Sequence, residues 1–215
     1  MKEKPRQQAT KPITPDRLRE PSYIVFAGVN GSGKSTLFHS KTWLLPGLSS
    51  SMERVNPDEI AASSSLPMSD LQAGRIAVAK ISELFERRAS FNQETTLSGR
   101  ASLRNIKHAR ELGYRVYLYY VGVQSPEVAI ARIAHRVSVG GHDIDPHIVR
   151  RRYENSLRNL SKAISYCEEV HVIDNTTSFH TLARWKKDIL EWWDHPKMHG
   201  PWLIDAMQNE DIWVR

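Results

Sequence analysis

The stretch GVNGSGKS, residues 28–35, matches the pattern G-x-x-x-x-G-K-[ST] of a phosphate-binding P-loop. It follows an apolar run at residues 23–27, which is typical of a strand that is covered on both faces of a parallel sheet. Helical signals begin at Gly33 and continue to about Trp43. Because strand, loop and helix follow one another in this order, the motif predicts a triphosphate site, and an ordinary glycine-rich turn is the alternative.

The residue types of this loop suit phosphate binding. Glycine allows positive φ, which lets backbone N–H groups turn inward and form a nest for an anion. Lys34 can reach the β- and γ-phosphates, and the Ser35 hydroxyl is placed to bind Mg²⁺. We therefore expect ATP or GTP, together with Mg²⁺, as the cofactors. The expected binding residues in the loop are Gly28, Asn30, Gly31, Ser32, Gly33, Lys34 and Ser35, with Ser35 as the metal ligand.

Other nucleotide-binding patterns fit less well. A dinucleotide fingerprint needs a third glycine, and Thr36 stands at that position. No Asn-Lys-x-Asp segment for base recognition occurs, which disfavours a GTPase. The apolar run at residues 170–174 ends in Asp174, as a Walker B strand does, so a motor or hydrolytic ATPase stays open as an alternative.

Apolar runs alternate with helical spacing along the rest of the chain, which predicts βαβ units and an α/β fold. We expect three layers, with a five-stranded, mainly parallel sheet and helices on both faces. The expected strands are residues 23–27, 54–56, 91–94, 116–123 and 170–173. The expected helices cover residues 69–89 and 103–112, begin at Pro126 and near Pro146, and follow the last strand with Leu182, Trp185, Ile189 and Trp192 on one face. The helix at residues 69–89 is expected to bury Leu71, Val78, Ile81, Leu84 and Phe85.

The expected domains are a flexible basic N-terminal arm (1–21), a kinase domain (22–195) and a C-terminal extension packed on the core (196–215). The arm contains four prolines among Lys, Arg and Gln, with too few apolar residues to bury. It holds six Lys/Arg against three Asp/Glu, and residues 132–162 hold seven against three. Since the positive charge is concentrated in two regions, nucleic acid is not the expected partner.

Cysteine and histidine usage limits the chemistry further. Cys167 is the only cysteine, which rules out an internal disulfide and a zinc site built on several thiolates. None of the nine histidines belongs to an H-E-x-x-H pattern, so the Mg²⁺ that accompanies the nucleotide is the only metal expected. The apolar stretches are shorter than a membrane span and the charged N-terminus has no apolar core behind it, so we expect a cytoplasmic protein without membrane contact.

A kinase differs from a simple hydrolase in what it needs beside the nucleotide site. It needs a second ligand, a base near the hydroxyl group of that ligand, and positive charge around the transferred phosphate. Asp58 directly follows the second expected strand, so its carboxylate should lie at the carboxyl edge of the sheet near Lys34. Glu94, Thr95 and Thr96 end the third strand, where they could hold an acceptor. For Asp58 and Glu94, the alternative is a plain role at the start of a helix.

Positive charge for the reaction is offered by residues 136–152, which we interpret as a lid. Gly140-Gly141-His142 is a hinge-like spot, and the helix that follows bears Arg150-Arg151-Arg152. An arginine-bearing segment that closes over a triphosphate would stabilise transition-state charge and exclude water. Successive helical residues point about 100° apart, so only one or two of the three arginines can face one site. A solvated basic face is the alternative.

Several segments, in their order and spacing behind the P-loop, resemble the zeta toxin family. These segments are Gly28 to Thr36, Asn56-Pro57-Asp58, Glu94-Thr95-Thr96, Gly140-Gly141-His142, Arg150-Arg151-Arg152-Tyr153, Ser156-Leu157-Arg158-Asn159-Leu160 and Asp174-Asn175. The resemblance spans about residues 22–180. It implies an adenylate-kinase-like P-loop core and ATP-dependent phosphorylation of UDP-N-acetylglucosamine at the sugar 3′-hydroxyl, which poisons the synthesis of cell-wall precursors.

The resemblance also implies roles for single residues. Asp58 would be the base, Glu94 would help to hold the nucleotide-sugar acceptor, and the phosphates would be stabilised by Lys34, Arg136 and one of Arg151 or Arg152. Asn56, Thr95 and Thr96 would complete the acceptor site, and Thr36 and Asn175 the nucleotide site. An antitoxin protein that blocks nucleotide access is the implied partner. This chain is compact beside the longer plasmid-borne members and lacks much of their substrate-side elaboration.

Two rival functions fit the same residues. The basic arm and lid would also suit a P-loop ATPase or kinase that acts on nucleic acid, another nucleotide or a dinucleotide. The tryptophan-rich end of the chain, residues 202–213, would suit a nucleotide-binding module that acts through protein contacts.

Overall fold

The computed structural model describes residues 20–44, 52–194 and 200–207. Its strands are β1 (Ser22–Ala27), β2 (Glu53–Val55), β3 (Phe91–Thr95), β4 (Arg115–Gly122), β5 (Glu169–Asp174), β6 (His180–Lys186) and β7 (Ile189–Trp193). They form one sheet in the order β2-β3-β1-β4-β5-β6-β7. The first five strands pair in parallel, whereas β6 and β7 are antiparallel. The expectation of an α/β fold with a mainly parallel sheet is confirmed.

The predicted number of strands was wrong, because the sheet has seven strands and not five. The helix expected to carry Leu182, Trp185, Ile189 and Trp192 on one face is instead the hairpin of β6 and β7. Trp185 is buried on one face of this hairpin. Ile189 pairs with Lys186, lies on the other face and is 61% exposed. The strands are joined by Lys187 and Asp188, which both have positive φ, as in a type I′ turn.

Helices begin where the sequence offers caps or proline. The described helices are α1 (Lys34–Ser40), α2 (Pro57–Ala62), α3 (Asp70–Glu86), α4 (Arg100–Glu111), α5 (Pro126–Ser138), α6 (Pro146–Ile164) and α7 (Pro201–Met207). Ser69 and Gln72 form a capping box at α3, and α2, α5 and α6 have proline in the first turn, where its missing N–H removes no hydrogen bond.

The buried face of α3 differs in its first half from the expected one. Ile81, Leu84 and Phe85 are buried, as expected, but Leu71 and Val78 are exposed. The places of these two residues in the core are taken by the small side chains Ala73 and Ala77. Ala77 and Ala73 lie four and eight residues before Ile81, so the three residues share one helix face.

Apolar side chains cover both faces of the sheet. On β4, Val116, Leu118 and Tyr120 belong to the larger core, with residues of α3, α4, α6 and α7. The alternate residues Tyr117, Tyr119 and Val121 belong to the second core, with Leu37 of α1 and Trp43. The alternation confirms the three layers that the apolar runs predicted.

This topology brings three loops to one edge of the sheet. Because β3 lies between β2 and β1 and all three strands are parallel, the segments that follow them meet beyond the carboxyl ends of these strands. Of the expected terminal segments, only residues 20–21 and 200–207 are among those described. Among the described helices, none combines the length and apolar character that a membrane crossing requires.

Candidate active site

The loop after β1 requires glycine at three positions, which are Gly28, Gly31 and Gly33. Gly28 and Gly33 have φ values of 135° and 103°, which side chains rarely adopt. A Cβ at Gly28 would lie 2.1 Å from the Val121 carbonyl oxygen, and a Cβ at Gly33 would lie 2.4 Å from Nδ2 of Asn175. That Asn175 nitrogen donates a hydrogen bond to the carbonyl of Ser32 at 2.8 Å. The segment after β5 therefore supports the phosphate-binding loop directly.

Lys34, the first residue of α1, lies under this loop and is 6% exposed. Its Nζ donates to the Val29 carbonyl oxygen at 3.1 Å and lies 3.8 Å from Oε1 of Glu94. Burial lowers the pKa of Lys34, and nearby Glu94 and Asp58 offset part of that shift. A triphosphate in the loop would add further negative charge beside this ammonium group.

Glu94, at the carboxyl end of β3, is the most connected side chain of the site and is 7% exposed. Its Oε2 accepts hydrogen bonds from Arg54 at 2.6 Å and from Asn56 at 3.3 Å. The Ser35 hydroxyl lies 3.0 Å from both carboxylate oxygens. Glu94, which was expected to hold an acceptor, thus lies against the phosphate-binding loop. Helix α4 begins at Arg100 with Gly99 as its N-cap, so the plain helix-start role does not apply to Glu94.

The pair Ser35 and Glu94 supplies the oxygen ligands that Mg²⁺ prefers. Within the described ranges, no group of three or more His, Cys, Asp or Glu side chains is arranged to hold a metal ion. A Mg²⁺ ion at this place would therefore depend on phosphate oxygens and water for its remaining ligands, which is usual for Mg²⁺ in nucleotide sites. The residues present fit that type of site.

Asp58 lies in the first turn of α2, with its side chain exposed. The N-cap of this helix is Asn56, whose Oδ1 accepts a hydrogen bond from the Asp58 backbone N–H at 3.1 Å. The alternative that Asp58 itself caps a helix starting at Glu59 is therefore wrong. Its carboxylate is close enough to Lys34 to act on the pKa of that group, as expected from its position after β2.

The expected arginines do not all reach the site. Nη1 of Arg152 donates to Oδ1 of Asn30 in the phosphate-binding loop at 2.9 Å. Arg136 donates to the His142 carbonyl oxygen at 2.7 Å, and its buried Nε has no hydrogen-bond partner among the described residues. Arg151 is exposed, because it points about 100° away from Arg152 around α6. Of the two arginines that the sequence left open, the structure therefore brings Arg152 to the loop.

Two adjoining cavities meet at these side chains. The larger, about 620 Å³, extends from the phosphate-binding loop past α2 and the start of α3 to the end of β3 and residues 142–144. The smaller, about 380 Å³, lies over the loop and is also lined by Thr36, Arg132 and Asn175. The residues that line both cavities are Asn30, Lys34, Asp58, Glu94 and Arg136. The arrangement offers space for two ligands on either side of one cluster of charged groups.

Thr95 and Thr96 line the larger cavity and shape the turn after β3. The Thr95 hydroxyl lies 2.7 Å from that of Ser102 and accepts a hydrogen bond from the Leu97 N–H at 3.1 Å. Leu97 has a positive φ of 55°, and its carbonyl accepts a hydrogen bond from Asn159 of α6 at 2.8 Å. The turn is therefore held from two sides in a conformation that leucine rarely adopts.

Asp174, the Walker-B-like candidate, is engaged elsewhere. Its carboxylate accepts hydrogen bonds from the N–H and the hydroxyl of Thr176 and from the indole N–H of Trp202 in α7 at 2.8–2.9 Å. It lines neither of the two cavities. The hydrolytic ATPase alternative therefore has no support from Asp174 as a metal-binding carboxylate. Trp202 itself is part of the larger core.

Sequence reasoning missed two arginines. Arg54, in β2, contacts Glu94 and was not considered, since an arginine in a short strand reads as a solvent-facing residue. Arg132 was counted only as part of a basic region, but its Nη2 donates to the Thr176 carbonyl at 3.1 Å and its side chain lines the smaller cavity. The sequence gave no signal for Arg54, because its partners Asn92 and Glu94 lie about 40 residues away in the chain.

Comparisons with known proteins identify a family, a related sequence and structures that share the fold. The model of the family described as Zeta toxin matches residues 5–184. An uncharacterized protein of Haemophilus influenzae is 35% identical over 133 residues, which cover 60% of this chain and 91% of that protein.

Two solved structures share the fold. A chain from the crystal structure of AvrRxo1-ORF1:AvrRxo1-ORF2 with sulphate ions has a TM-score of 0.66 and 15% identity, over 86% of this chain and 64% of that one. A chain from the PezAT chromosomal toxin-antitoxin system of Streptococcus pneumoniae has a TM-score of 0.55 and 14% identity, over 75% and 71%. The chain thus spans less than two thirds of the AvrRxo1 chain that it matches. At these identities, the likeness shows the fold alone.

Proposed function

The chain belongs to the zeta toxin family, and on this premise we propose that it transfers the γ-phosphate of ATP to a hydroxyl group of a small acceptor. It is a phosphotransferase with a P-loop kinase fold. The acceptor that we propose is UDP-N-acetylglucosamine, phosphorylated at the 3′-hydroxyl of its sugar, which is the activity that the resemblance to the zeta toxin family implies. We propose further that the protein is the toxin of a toxin-antitoxin pair.

One observation carries the proposal: two cavities share a border formed by Lys34, Asp58, Glu94 and Arg136. A hydrolase needs space for a nucleotide and a water molecule, whereas a kinase needs space for a second ligand beside the phosphate. The larger cavity, at about 620 Å³, lies within the range of small-molecule sites, roughly 300–1,000 Å³. A transferase therefore accounts for both cavities.

The smaller cavity suits the nucleotide. We assign the β- and γ-phosphates to the backbone N–H groups of the loop and to Lys34, with Ser35, Thr36 and Asn175 around them. Arg136 offers a buried Nε without a hydrogen-bond partner among the described residues, which a phosphate oxygen would satisfy. Arg152 lines the larger cavity and not the smaller one, but it donates a hydrogen bond to Asn30, which lines both. It is therefore the second arginine in this assignment.

Ser35 and Glu94 are the residues that would hold Mg²⁺. When bound with the nucleotide, this ion would neutralise charge on the β- and γ-phosphates. Glu94 then has a different main role from the one expected, because its carboxylate lies 3.0 Å from the Ser35 hydroxyl. Asn56, which donates to Glu94, belongs to the same group of residues and keeps a place at the edge of the acceptor site.

The larger cavity suits the acceptor, and Asp58 suits the base. Asp58 is exposed at the border of both cavities, where it can take the proton of an acceptor hydroxyl as that oxygen attacks the γ-phosphate. Thr95 and Thr96 line the acceptor cavity and would bind polar groups of the acceptor. The segment 139–145, between α5 and α6, borders the same cavity through His142 and Ile144 and would limit the access of water.

The proposal of an antitoxin partner is supported by the family and not by a surface formed by the described residues. PezAT is a toxin-antitoxin system, and the matching AvrRxo1 chain belongs to a complex of two proteins. We propose that an antitoxin binds this chain and blocks access to the nucleotide.

A mass-spectrometric acceptor screen tests the proposal. The protein is incubated with ATP, Mg²⁺ and, separately, UDP-N-acetylglucosamine, other nucleotide sugars, nucleosides and dinucleotides, with Lys34→Ala as the inactive control. We expect UDP-N-acetylglucosamine to gain one phosphate. If only a dinucleotide were phosphorylated, the proposed kinase activity would stand and the proposed acceptor would be wrong. Hydrolysis that depends on DNA or RNA, without any phosphorylated small molecule, would favour the rival ATPase.

A further inference from the structure

Arg54 is a buried cation at the junction of four elements of the site. Its side chain is 10% exposed and belongs to β2. The guanidinium donates to Oε2 of Glu94 at 2.6 Å, to Oε1 of Glu59 at 2.8 Å and to Oδ1 of Asn92 at 3.2 Å. It also lies 3.7 Å from the ring centroid of Phe38. It therefore joins β3, α2 and α1, the elements that carry the metal-side carboxylate, the base and the phosphate-binding lysine.

The two carboxylate oxygens of Glu94 have different partners. Oε2 accepts from Arg54 and Asn56, whereas Oε1 lies 3.8 Å from Nζ of Lys34. The Ser35 hydroxyl is within 3.0 Å of both. Since Arg54 and Asn56 hold one oxygen on the β2 side, the other stays directed at the phosphate-binding loop.

The same guanidinium takes part in a closed ring of hydrogen bonds next to the base. Glu59 accepts from Arg54 and from Nδ2 of Asn56 at 3.1 Å, and Asn56 also donates to Glu94. The Oδ1 of Asn56 fixes the backbone N–H of Asp58 at the start of α2. Asp58 therefore lies on a helix terminus whose position depends on both Asn56 and Arg54.

Stability alone does not account for a buried arginine here. Buried ion pairs are often no more stable than well-packed apolar residues of similar size, because both charges lose their hydration. The planar guanidinium, in contrast, fixes several acceptors in defined directions, which a lysine ammonium group does not. Residues that hold a metal ligand by a second hydrogen bond commonly set its orientation.

We propose that Arg54 is a positioning residue that orients Glu94 toward the Mg²⁺ side of the phosphate-binding loop and fixes the start of α2, which carries Asp58. The inference rests on the proposed function, since it assigns Glu94 and Asp58 their roles in transfer. It predicts that loss of Arg54 impairs metal binding and transfer together, while the backbone cradle for phosphate stays intact.

The test compares Arg54→Met, Arg54→Lys and the control Arg115→Met. Arg115 is also a strand arginine beside an aromatic ring, 5.2 Å from the centroid of Tyr117, but it begins β4 at the opposite end of the sheet. For each protein, Mn²⁺ binding is measured by electron paramagnetic resonance with ATP present, and ATP binding is measured by calorimetry in EDTA. Transfer to the acceptor found in the screen is measured in parallel.

For Arg54→Met, we expect Mn²⁺ binding to weaken about 10- to 100-fold, the usual effect of removing a residue that orients a metal ligand. ATP binding in EDTA should change by less than about threefold, and Arg115→Met should match the wild type in both assays. Arg54→Lys keeps the charge but not the fork of donors, so it should resemble Arg54→Met, and it replaces that variant if Arg54→Met fails to fold.

Mn²⁺ affinity within about twofold of the wild type in a folded Arg54 variant would overturn the proposal. So would an equal loss of ATP affinity in EDTA, because that would indicate general damage to the site. If the wild type transfers phosphate to no acceptor but the Arg54 variants still lose Mn²⁺, the proposed function fails and the role of Arg54 toward Glu94 stands. A wild type that binds no Mn²⁺ with ATP would overturn both.

Discussion

Replacing Glu94 with glutamine tests whether its carboxylate balances two buried cations. The substitution keeps the size and one acceptor oxygen but removes the negative charge. In the structure, the carboxylate lies 2.6 Å from Nη2 of Arg54 and 3.8 Å from Nζ of Lys34, and none of the three side chains is more than 10% exposed. Glu94→Gln therefore removes the nearest counter-charge of Lys34 and leaves Arg54 with Glu59 alone.

The expected loss of stability follows from this burial. Removing one partner of a buried ion pair destabilises a protein by about 3–5 kcal/mol. Glutamine still accepts one hydrogen bond and the site borders a cavity, so the lower end, about 3 kcal/mol, applies. For a chain of this size, each kcal/mol lowers Tm by about 2–4 °C, which predicts a loss of about 6–12 °C.

The same variant should bind metal-free ATP more tightly, since the freed cations attract phosphate. A tenfold gain in affinity corresponds to about 1.4 kcal/mol and adds about 3–6 °C to the Tm shift at a fixed, saturating ATP concentration. Scanning calorimetry with ATP and EDTA measures both effects. The control Glu127→Gln removes an exposed pair with Arg150 and should change Tm by less than about 4 °C. A Glu94→Gln protein that melts within about 2 °C of the wild type, with the same ATP-induced shift, would refute the reasoning.

Three further predictions address single groups. Arg152→Met should weaken ATP binding about tenfold or more, because it removes a charged group that donates a hydrogen bond to the loop. Arg151 is exposed, so Arg151→Met should bind ATP within about twofold of the wild type. Equal effects of the two substitutions in calorimetry would contradict the assignment. Burial lowers the pKa of Lys34, so between that lowered pKa and 10.5 the folded state binds fewer protons than the unfolded state, and its stability rises with pH. Lys34→Met should lack this rise when stability is measured by denaturant unfolding. An identical pH profile in the variant would argue against burial of the charge. Burial also raises the pKa of the Cys167 thiol, so at about pH 8 iodoacetamide should label the unfolded chain but not the native protein; rapid labelling of the native protein would contradict the buried position.

The phosphate-binding loop and the parallel core could be predicted because their signals are local. The loop pattern lies between a continuous apolar run and a helix, and candidate functional residues stand at or shortly after the carboxyl ends of β1, β2 and β3. Asp58 and Glu94 could therefore be placed at the carboxyl edge of the sheet from their positions in the sequence alone.

The hairpin of β6 and β7 could not be predicted in this way. Its apolar residues recur at three- and four-residue intervals, which a helix also shows, and its turn uses Lys187 and Asp188 in place of the Asn-Gly pair that usually marks such a turn. The role of Arg54 depends on partners in β3 about 40 residues away, so no spacing rule reveals it. The choice between Arg151 and Arg152 required the rotation of α6 relative to the loop.

The fate of the γ-phosphate tests the central claim most directly. ATP labelled at the γ-phosphate is mixed with excess protein, Mg²⁺ and the acceptor, and the label is followed through one turnover in the wild type and in Asp58→Ala. We expect the wild type to move the label to the acceptor, and Asp58→Ala to do so about 10²- to 10⁴-fold more slowly while its ATP affinity changes less than about threefold. Label that appears only in inorganic phosphate, or transfer that is as fast without the Asp58 carboxylate, would contradict the account.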